Sequence, residues 1–240
     1  MGTGVTIIDH VLFFGLAVAY PIASVISFRR MLRRIAAGQV VRATQIYHST
    51  LLGHWTMFVV VLAAWLGSGR SWATLGFSLD ISAGFLVGLA LTIATIVILV
   101  RQYGQLGNAD EKTRESLRRQ LGDLEVMMPR TDRELGQFYV VSATAGIVEE
   151  ALWRGYLFWY LGHVMPLWAA AVVSAVLFGL AHSYQGLKNL PMVTLVGGIL
   201  AAFYLLTGSL WLPMLLHAVF DAVQGRAACR VLSRAPEAAQ

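Results

Sequence analysis

The chain has 240 residues, of which 57% are hydrophobic and only 13% are charged, and its mean hydropathy is +0.65. Soluble globular domains carry about twice this share of charged residues, so the composition excludes an ordinary soluble domain and indicates a membrane protein with several spans. The formal net charge of +5 does not point to nucleic acid, because the basic residues lie mostly beside apolar runs, as the positive-inside rule expects.

Apolar runs of about 20 residues, the length that an α-helix needs to cross ~30 Å of hydrocarbon, recur along the chain. They lack the polar and apolar alternation of outer-membrane barrel strands, so we predict an all-α, polytopic transmembrane helix bundle. About seven spans are predicted, at residues 5–27, 50–67, 82–101, 136–160, 166–184, 190–207 and 210–228. The first span has no preceding Lys or Arg and is longer than a signal-peptide core, so we expect it to be retained.

The connections between the predicted spans indicate the orientation of the chain. The segment FRRMLRRIAAGQVVR after the first span contains five arginines and no acidic residue, which is typical of a cytoplasmic loop. Counted onward, the polar segment 102–135, the Lys188 loop and the tail with Arg226, Arg230 and Arg234 fall on the same side. We therefore expect the N-terminus outside and the C-terminus in the cytoplasm.

The segment 102–135 is the one long polar stretch of the sequence. Within it, apolar residues recur at helical spacing, which predicts an amphipathic helix near 110–128 that lies on the membrane surface; they are Leu117, Leu121, Leu124 and Met128. Pro129 ends this helix. Thr131 and Glu134 then form a capping-box pattern that predicts the start of the fourth helix.

Three of the last four predicted spans contain ionisable side chains, although such a group near the bilayer centre costs ~2.5–3.5 kcal/mol on the insertion scale. They are Glu149, Glu150 and Arg154 in the fourth span, His182 in the fifth, and His217 and Asp221 in the seventh. Because the cost recurs on several spans, we expect these residues to form one buried polar site.

The two glutamates are predicted to have different partners. Glu150 and Arg154 are four residues apart and share a helix face, so we expect a charge pair with a supporting role. Glu149 lies about 100° around the helix from Glu150 and has no obvious partner in its own helix. We expect its partners, His182 and His217, to come from other spans.

Two kinds of chemistry fit these residue types. A carboxylate and a histidine that converge on a water can perform general-base hydrolysis, and a further histidine and aspartate can stabilise the oxyanion. His217 and Asp221 are four residues apart, so both can face one cavity for this purpose. The second possibility is zinc, with Glu149, His182 and His217 as candidate ligands, although the helical HExxH pattern is absent.

The expected depths of these residues test the proposed site. At 1.5 Å per residue, Glu149 lies ~20 Å from the start of the fourth span at 136, and His217 lies ~10 Å from the opposite start of the seventh at 210, so the two depths agree. His182, counted from 166, lies within ~6 Å of the cytoplasmic boundary. We therefore expect the fifth helix to be shifted, tilted or broken where His182 joins the site.

Three motifs stand in order on separate predicted spans. EEALWR (149–154) fits EExxxR, FGLAH (178–182) fits FxxxH, and HAVFD (217–221) fits HxxxN/D. Together they resemble the CPBP family of intramembrane proteases, which includes the type II CAAX prenyl endopeptidases and bacteriocin-processing or immunity proteins. The resemblance covers roughly residues 135–228, and its flanking segments look like those of bacterial members.

The resemblance implies roles for individual residues. Glu149 and His182 match the pair that activates the attacking water, His217 and Asp221 the pair that stabilises the oxyanion, and Glu150, Arg154 and Phe178 the supporting positions. The family has been described both as metalloproteases and as metal-independent glutamate proteases, so zinc stays an alternative to chemistry without a cofactor. Asp221 stands where the eukaryotic prenyl proteases tend to have Asn. Since an ionised Asp is a poor oxyanion donor, we expect it to orient His217 or to be protonated.

The resemblance also implies an organisation and a function. We expect N-terminal helices and a linker over 1–134, a CPBP-like catalytic core over 135–228 and a cytoplasmic tail over 229–240. The expected activity is hydrolysis of a peptide bond in a membrane-associated protein or peptide, at a bacterial plasma membrane, with lipid as the surrounding partner. The alternatives are a non-catalytic bacteriocin-immunity or scaffold protein and a proton-coupled transporter, for which the sequence shows no inverted repeat.

Overall fold

The structure, a computed structural model, describes residues 4–106 and 110–233. Residues 107–109 of the predicted polar segment and residues 234–240 of the predicted tail, with Arg234, lie outside this part of the chain. Every regular element in the described ranges is helical and none is a strand, so the predicted all-α class is confirmed.

The N-terminal part forms five α-helices: α1 (Ile7–Phe14), α2 (Tyr20–Ala36), α3 (Ala43–Gly67), α4 (Ala83–Gln105) and α5 (Glu111–Leu121). A π-helical turn, Gly15–Ala19, joins α1 to α2, so the first helix runs unbroken from Ile7 to Ala36. The carboxylate of Asp110 caps α5 by accepting the Thr113 amide at 2.9 Å, and the hydrogen bonds from Thr113 lower the pKa of this exposed carboxyl.

The helix predicted near 110–128 is α-helical only in its first part. It ends at Gly122, whose φ of +50° is a conformation that residues with a Cβ rarely adopt, and a 3₁₀ stretch, Gly122–Met127, follows. Thr131 then caps the next helix by accepting the Glu134 amide at 3.2 Å, as the capping pattern predicts.

The C-terminal part contains the remaining helices: α6 (Asp132–Glu150), α7 (Phe158–Gly162), α8 (Leu167–Ala181), α9 (Leu190–Thr207) and α10 (Trp211–Leu232). A second π-helical turn, Ala151–Leu157, joins α6 to α7 without a break, and all seven of its residues are buried. This continuous helix from Asp132 to Gly162 forms the centre of the molecule.

Within residues 4–106 and 110–233, four helices are long and apolar enough to cross a membrane: Ile7–Ala36, Ala43–Gly67, Ala83–Gln105 and Leu190–Thr207. α8 is apolar but has only 15 residues. The continuous helix of α6 and α7 and helix α10 contain the ionisable residues of the predicted site except His182, which caps α8. Each of these helices coincides with one predicted span, whereas the number that actually crosses the membrane stays a prediction.

The outward faces of the candidate spans are strongly apolar. Large side chains on α3, α4 and α9 are more than half exposed, among them Leu52, Val59, Ile93 and Leu195. A surface with this much exposed apolar area is stable in lipid and not in water. The apolar helices and their exposed faces therefore indicate an integral membrane protein.

Helix α6 packs closely against α10 because Gly146 leaves room for the neighbouring backbone. A Cβ atom at Gly146 would lie 2.6 Å from the Met214 carbonyl oxygen and 2.9 Å from the Ala218 Cβ, closer than packed atoms approach. α8 and α9 approach each other in the same way at Gly179, which contacts the side chain of Thr194. The first contact brings together two helices that contain predicted site residues, and the second fixes α8, which precedes His182, against α9.

The first helix is held to the central helix by a buried ion pair. Arg70, in the connection after α3, lies 2.8 Å and 2.6 Å from the two carboxylate oxygens of Asp9. The Tyr156 hydroxyl donates to the Asp9 carbonyl at 3.0 Å, and the guanidinium of Arg70 lies 4.0 Å from the centre of the Trp159 ring. Since Tyr156 and Trp159 belong to the central helix, this cluster fixes α1 against it.

Candidate active site

Glu150 and Arg154 form a fully buried ion pair at the start of the second π-helical turn. Arg154 Nη1 lies 2.7 Å from Glu150 Oε1, and neither side chain has any exposed surface. Nη2 of Arg154 donates to the Gly197 carbonyl of α9 at 2.8 Å, and the guanidinium lies 4.5 Å from the centre of the Phe178 ring of α8. The pair predicted from the spacing of four therefore also connects the central helix to α8 and α9.

His217 of α10 also binds Glu150. Its Nδ1 atom lies 2.8 Å from Glu150 Oε1, the same oxygen that contacts Arg154, and its Nε2 atom lies 3.7 Å from Oδ2 of Asp221. The sequence predicts His217 as a partner of Glu149, and the structure instead gives it a hydrogen bond to Glu150. The reason is the position of α10 around the central helix, which residue spacing along one chain segment does not determine.

Glu149 lies between two histidines from different helices. Its Oε1 atom is 2.8 Å from Nε2 of His54 in α3, and its Oε2 atom is 3.6 Å from Nε2 of His182 at the end of α8. The second distance is too long for a direct hydrogen bond. Within the described part of the chain, Oε2 has no hydrogen-bond partner although it is buried.

His54 belongs to none of the three sequence motifs. This residue lies in the predicted span 50–67, is only 7% exposed, and has its Nδ1 atom 2.9 Å from the Thr50 carbonyl. The signal that identifies His182, an ionisable side chain inside an apolar run, applies equally to His54. Nothing in the local spacing of α3 shows that it faces Glu149.

Helix α8 ends directly before His182, the residue that lies beside Glu149. The sequence predicts a helix over 166–184, but α8 has 15 residues and ends at Ala181, so it rises only ~22 Å. His182 is its C-terminal cap and is followed by a 3₁₀ turn, Ser183–Gln185. The rise of ~22 Å up to His182 is close to the ~24 Å between residues 166 and 182, so the early end of α8 does not by itself change the depth of His182.

Phe178 organises the two histidines that come from the motifs. Its ring centre lies 4.5 Å from that of His182 and 6.1 Å from that of His217, with the second contact edge-on. The Phe178 carbonyl also lies 2.8 Å from Nδ1 of His182. Phe178 thus fixes the orientation of His182 and separates its ring from the Glu150 and His217 pair.

The site becomes more exposed from Glu150 toward Asp221. The exposed fraction of the side chain is 0% for Glu150, 9% for Glu149, 13% for His182 and 31% for Asp221. The more exposed end of the site is therefore the side of His182 and Asp221. The ion pair of Glu150 lies behind them, where solvent does not screen it.

The predicted zinc ligands do not form one set. Among the residues that the structure describes, no group of three or more His, Cys, Asp or Glu side chains is arranged to hold a metal ion. His217 uses Nδ1 for Glu150 and directs Nε2 toward Asp221, so neither of its ring nitrogens faces Glu149 and His182 as a third ligand. The arrangement of these side chains thus does not fit a zinc site.

A bundle of apolar helices that encloses a buried glutamate beside two histidines defines a membrane protein with a site suited to acid and base chemistry. The particular family follows from a comparison with known proteins. Residues 131–223 match the family model described as type II CAAX prenyl endopeptidase Rce1-like. The resemblance to the CPBP intramembrane proteases is confirmed, and the chain contains an endopeptidase domain of the CAAX-protease type. No curated protein and no solved structure gives a significant match.

The matched region includes the residues of all three motifs, from Glu149 to Asp221. It does not include His54 or the rest of α3, which supply the closest contact to Glu149.

Proposed function

We propose that this protein is an intramembrane endopeptidase that hydrolyses a peptide bond of a membrane-associated protein or peptide with a water activated by Glu149. One observation carries the proposal. Oε2 of Glu149 is buried without a hydrogen-bond partner among the described residues, and Nε2 of His182 lies 3.6 Å from it. A buried carboxylate oxygen without a partner is costly, and a water that bonds to both atoms would satisfy it.

In this reaction, the water held by Glu149 and His182 attacks the carbonyl carbon of the scissile bond. One proton of the water passes to Oε2 of Glu149 as the new carbon–oxygen bond forms. The tetrahedral intermediate collapses, the carbon–nitrogen bond breaks, and Glu149 returns the proton to the leaving amine. The products are a carboxylic acid and an amine, and Glu149 ends in its starting state.

His217 and Asp221 are proposed to stabilise the oxyanion of the intermediate. The distance of 3.7 Å between His217 Nε2 and Asp221 Oδ2 leaves both atoms without a direct bond to each other, and the Asp221 side chain lies on the more exposed side of the site. Nδ1 of His217 is fixed by Glu150, so the ring orientation is set before substrate binds. Glu150 and Arg154 support the site by holding His217 and do not themselves contact substrate.

The substrate is proposed to be a protein or peptide associated with a bacterial plasma membrane. The name of the matched family suggests a prenylated CAAX peptide as the first probe, and the same peptide without the prenyl group tests whether the lipid is required. On the charge of the loops, the Lys188 connection next to His182 lies on the cytoplasmic side, so we propose that substrate enters from there.

The test is cleavage of these two peptides by purified protein in lipid vesicles, measured by mass spectrometry of the products. Glu149→Gln should reduce cleavage by about 10²–10⁴-fold, since the amide cannot accept the water proton. Glu115→Gln is the matched control, because Glu115 forms a pair on the exposed surface of α5 and its side chain is 60% exposed. Cleavage by Glu149→Gln at the wild-type rate would contradict the proposal. If no peptide is cut and Glu149→Gln strongly lowers thermal stability, the scaffold alternative is favoured.

A further inference from the structure

His54 has a hydrogen-bond geometry that restricts where its protons lie. A carbonyl oxygen can only accept, so the contact of 2.9 Å to the Thr50 carbonyl requires a hydrogen on Nδ1. In a neutral imidazole the other nitrogen, Nε2, then carries no hydrogen. Yet Nε2 lies 2.8 Å from Oε1 of Glu149, a distance at which two bare lone pairs would repel. One proton must therefore lie between Nε2 of His54 and Oε1 of Glu149.

His182 is anchored in the same manner but makes a different contact. Its Nδ1 atom lies 2.8 Å from the Phe178 carbonyl and must also carry a hydrogen. Its Nε2 atom is 3.6 Å from Oε2 of Glu149, which is too far for a shared proton. The two oxygens of Glu149 are therefore not equivalent: Oε1 is bound to His54, and Oε2 is left beside His182.

We propose that His54 is a positioning residue of this site: through one shared proton it holds Oε1 of Glu149, and so leaves Oε2 as the oxygen that receives the proton of the attacking water. The role of Oε2 as the proton acceptor rests on the proposed function, whereas the proton shared by His54 and Oε1 does not. Where Glu149 acts as a base its carboxyl is ionised, so the shared proton belongs to Nε2 and His54 is an imidazolium.

The burial of the pair supports this role. Each of the two side chains is only 9% exposed, so the contact between them is poorly screened by solvent and either group alone would be costly in this place. α3 packs along α6 and carries His54 to the same level as the end of α6. A residue outside the matched domain thereby completes the surroundings of Glu149.

The first experiment is independent of any substrate. Nuclear magnetic resonance of protein with ¹⁵N-labelled histidine should show both ring nitrogens of His54 protonated in the wild-type protein. In Glu149→Gln only Nδ1 should be protonated, because the amide then donates to Nε2. His54→Gln identifies the resonances. A spectrum of His54 that is unchanged by Glu149→Gln, or a ring with no hydrogen on Nδ1, overturns the proposal.

The second experiment separates positioning from structural support. His54→Leu removes the donor to Oε1 and should lower kcat for peptide cleavage by about 10²-fold with little change in KM. His54→Gln keeps an N–H donor near the position of Nε2 and should recover part of this loss. His48→Leu, at an exposed histidine of the same helix, is the control and should cleave at the wild-type rate.

Equal kcat for His54→Leu and His54→Gln, or wild-type kcat for His54→Leu, contradicts the positioning role. If the wild-type protein cleaves no peptide, the proposed function fails, while the resonance experiment still decides whether His54 and Glu149 share a proton.

Discussion

Nδ1 of His217 lies 2.8 Å from Oε1 of Glu150, and this buried contact joins α10 to the central helix. The same oxygen accepts from Arg154, so one carboxylate neutralises a buried guanidinium and orients a histidine. Glu149, the adjacent residue in sequence, instead binds His54 of α3 through Oε1 and has its buried Oε2 beside His182. The two glutamates therefore have separable effects on stability and on activity.

Glu150→Gln should lower thermal stability much more than Glu149→Gln does. The change leaves the Arg154 charge buried without its partner, and breaking a buried ion pair in this way costs about 3–5 kcal/mol. Thermal unfolding of the two variants in the same detergent measures the difference. The control is Glu115→Gln, which removes one partner of the surface ion pair with Arg119 and should change stability by less than ~1 kcal/mol. Equal losses for Glu149→Gln and Glu150→Gln would contradict the division of roles.

Asp221→Asn should retain cleavage, whereas Asp221→Leu should lose about 10²-fold. Asn donates through its amide in place of a protonated carboxyl and keeps the shape of the side chain, so it can still serve the oxyanion or orient His217. The rates of peptide cleavage by the two variants give the answer. A loss in Asp221→Asn as large as in Asp221→Leu would mean that a negative charge is needed at this position.

Gly146→Ala should reduce the free energy of unfolding by about 1–3 kcal/mol, because the added Cβ forces α6 away from the Met214 carbonyl. Gly136→Ala is a matched control on the same helix, where an added Cβ meets no atom within 4 Å. It should be neutral or stabilising, since Ala favours a helix over Gly by about 1 kcal/mol. Thermal unfolding distinguishes the two, and equal stability would show that α6 and α10 are less closely packed than in the structure.

Dialysis against a zinc chelator should leave peptide cleavage unchanged. The candidate ligands Glu149, His182 and His217 do not direct three donor atoms to one point, and His217 is already bound to Glu150. The measurement is the cleavage rate before and after dialysis, together with metal analysis of the purified protein. Loss of activity that returns on addition of zinc would contradict this expectation.

Much of the fold follows from the sequence because lipid imposes long apolar helices, and the pair of Glu150 and Arg154 follows from a spacing of four. The partners of Glu149 do not follow from the sequence. Helical angles place Glu149 and Glu150 on different faces, but whether α3 or α10 covers each face depends on packing between distant segments. His54 is therefore found only in three dimensions, where its ring lies 2.8 Å from Oε1 of Glu149.

The boundary of α8 shows a second limit. The span predicted from the sequence continues through His182, Ser183 and Tyr184, and no proline marks the helix terminus at Ala181. The termination is tied to contacts of the neighbouring α2, where the Ser24 hydroxyl donates to the Ala181 carbonyl at 3.1 Å. This satisfies one of the carbonyls that the end of a helix leaves free, and the α8 sequence contains no sign of it.

The early end of α8 affects how water reaches the site. A helix of ~22 Å that starts at one face of ~30 Å of hydrocarbon stops well before the other face, so the connection that follows His182 lies below the lipid headgroups. Non-helical backbone at that level requires either protein or water around it, and Gly186 to Lys188 are exposed. We therefore expect a hydrated indentation that extends into the bilayer as far as His182. The proposed hydrolysis consumes water at every turnover, and this indentation would provide its route.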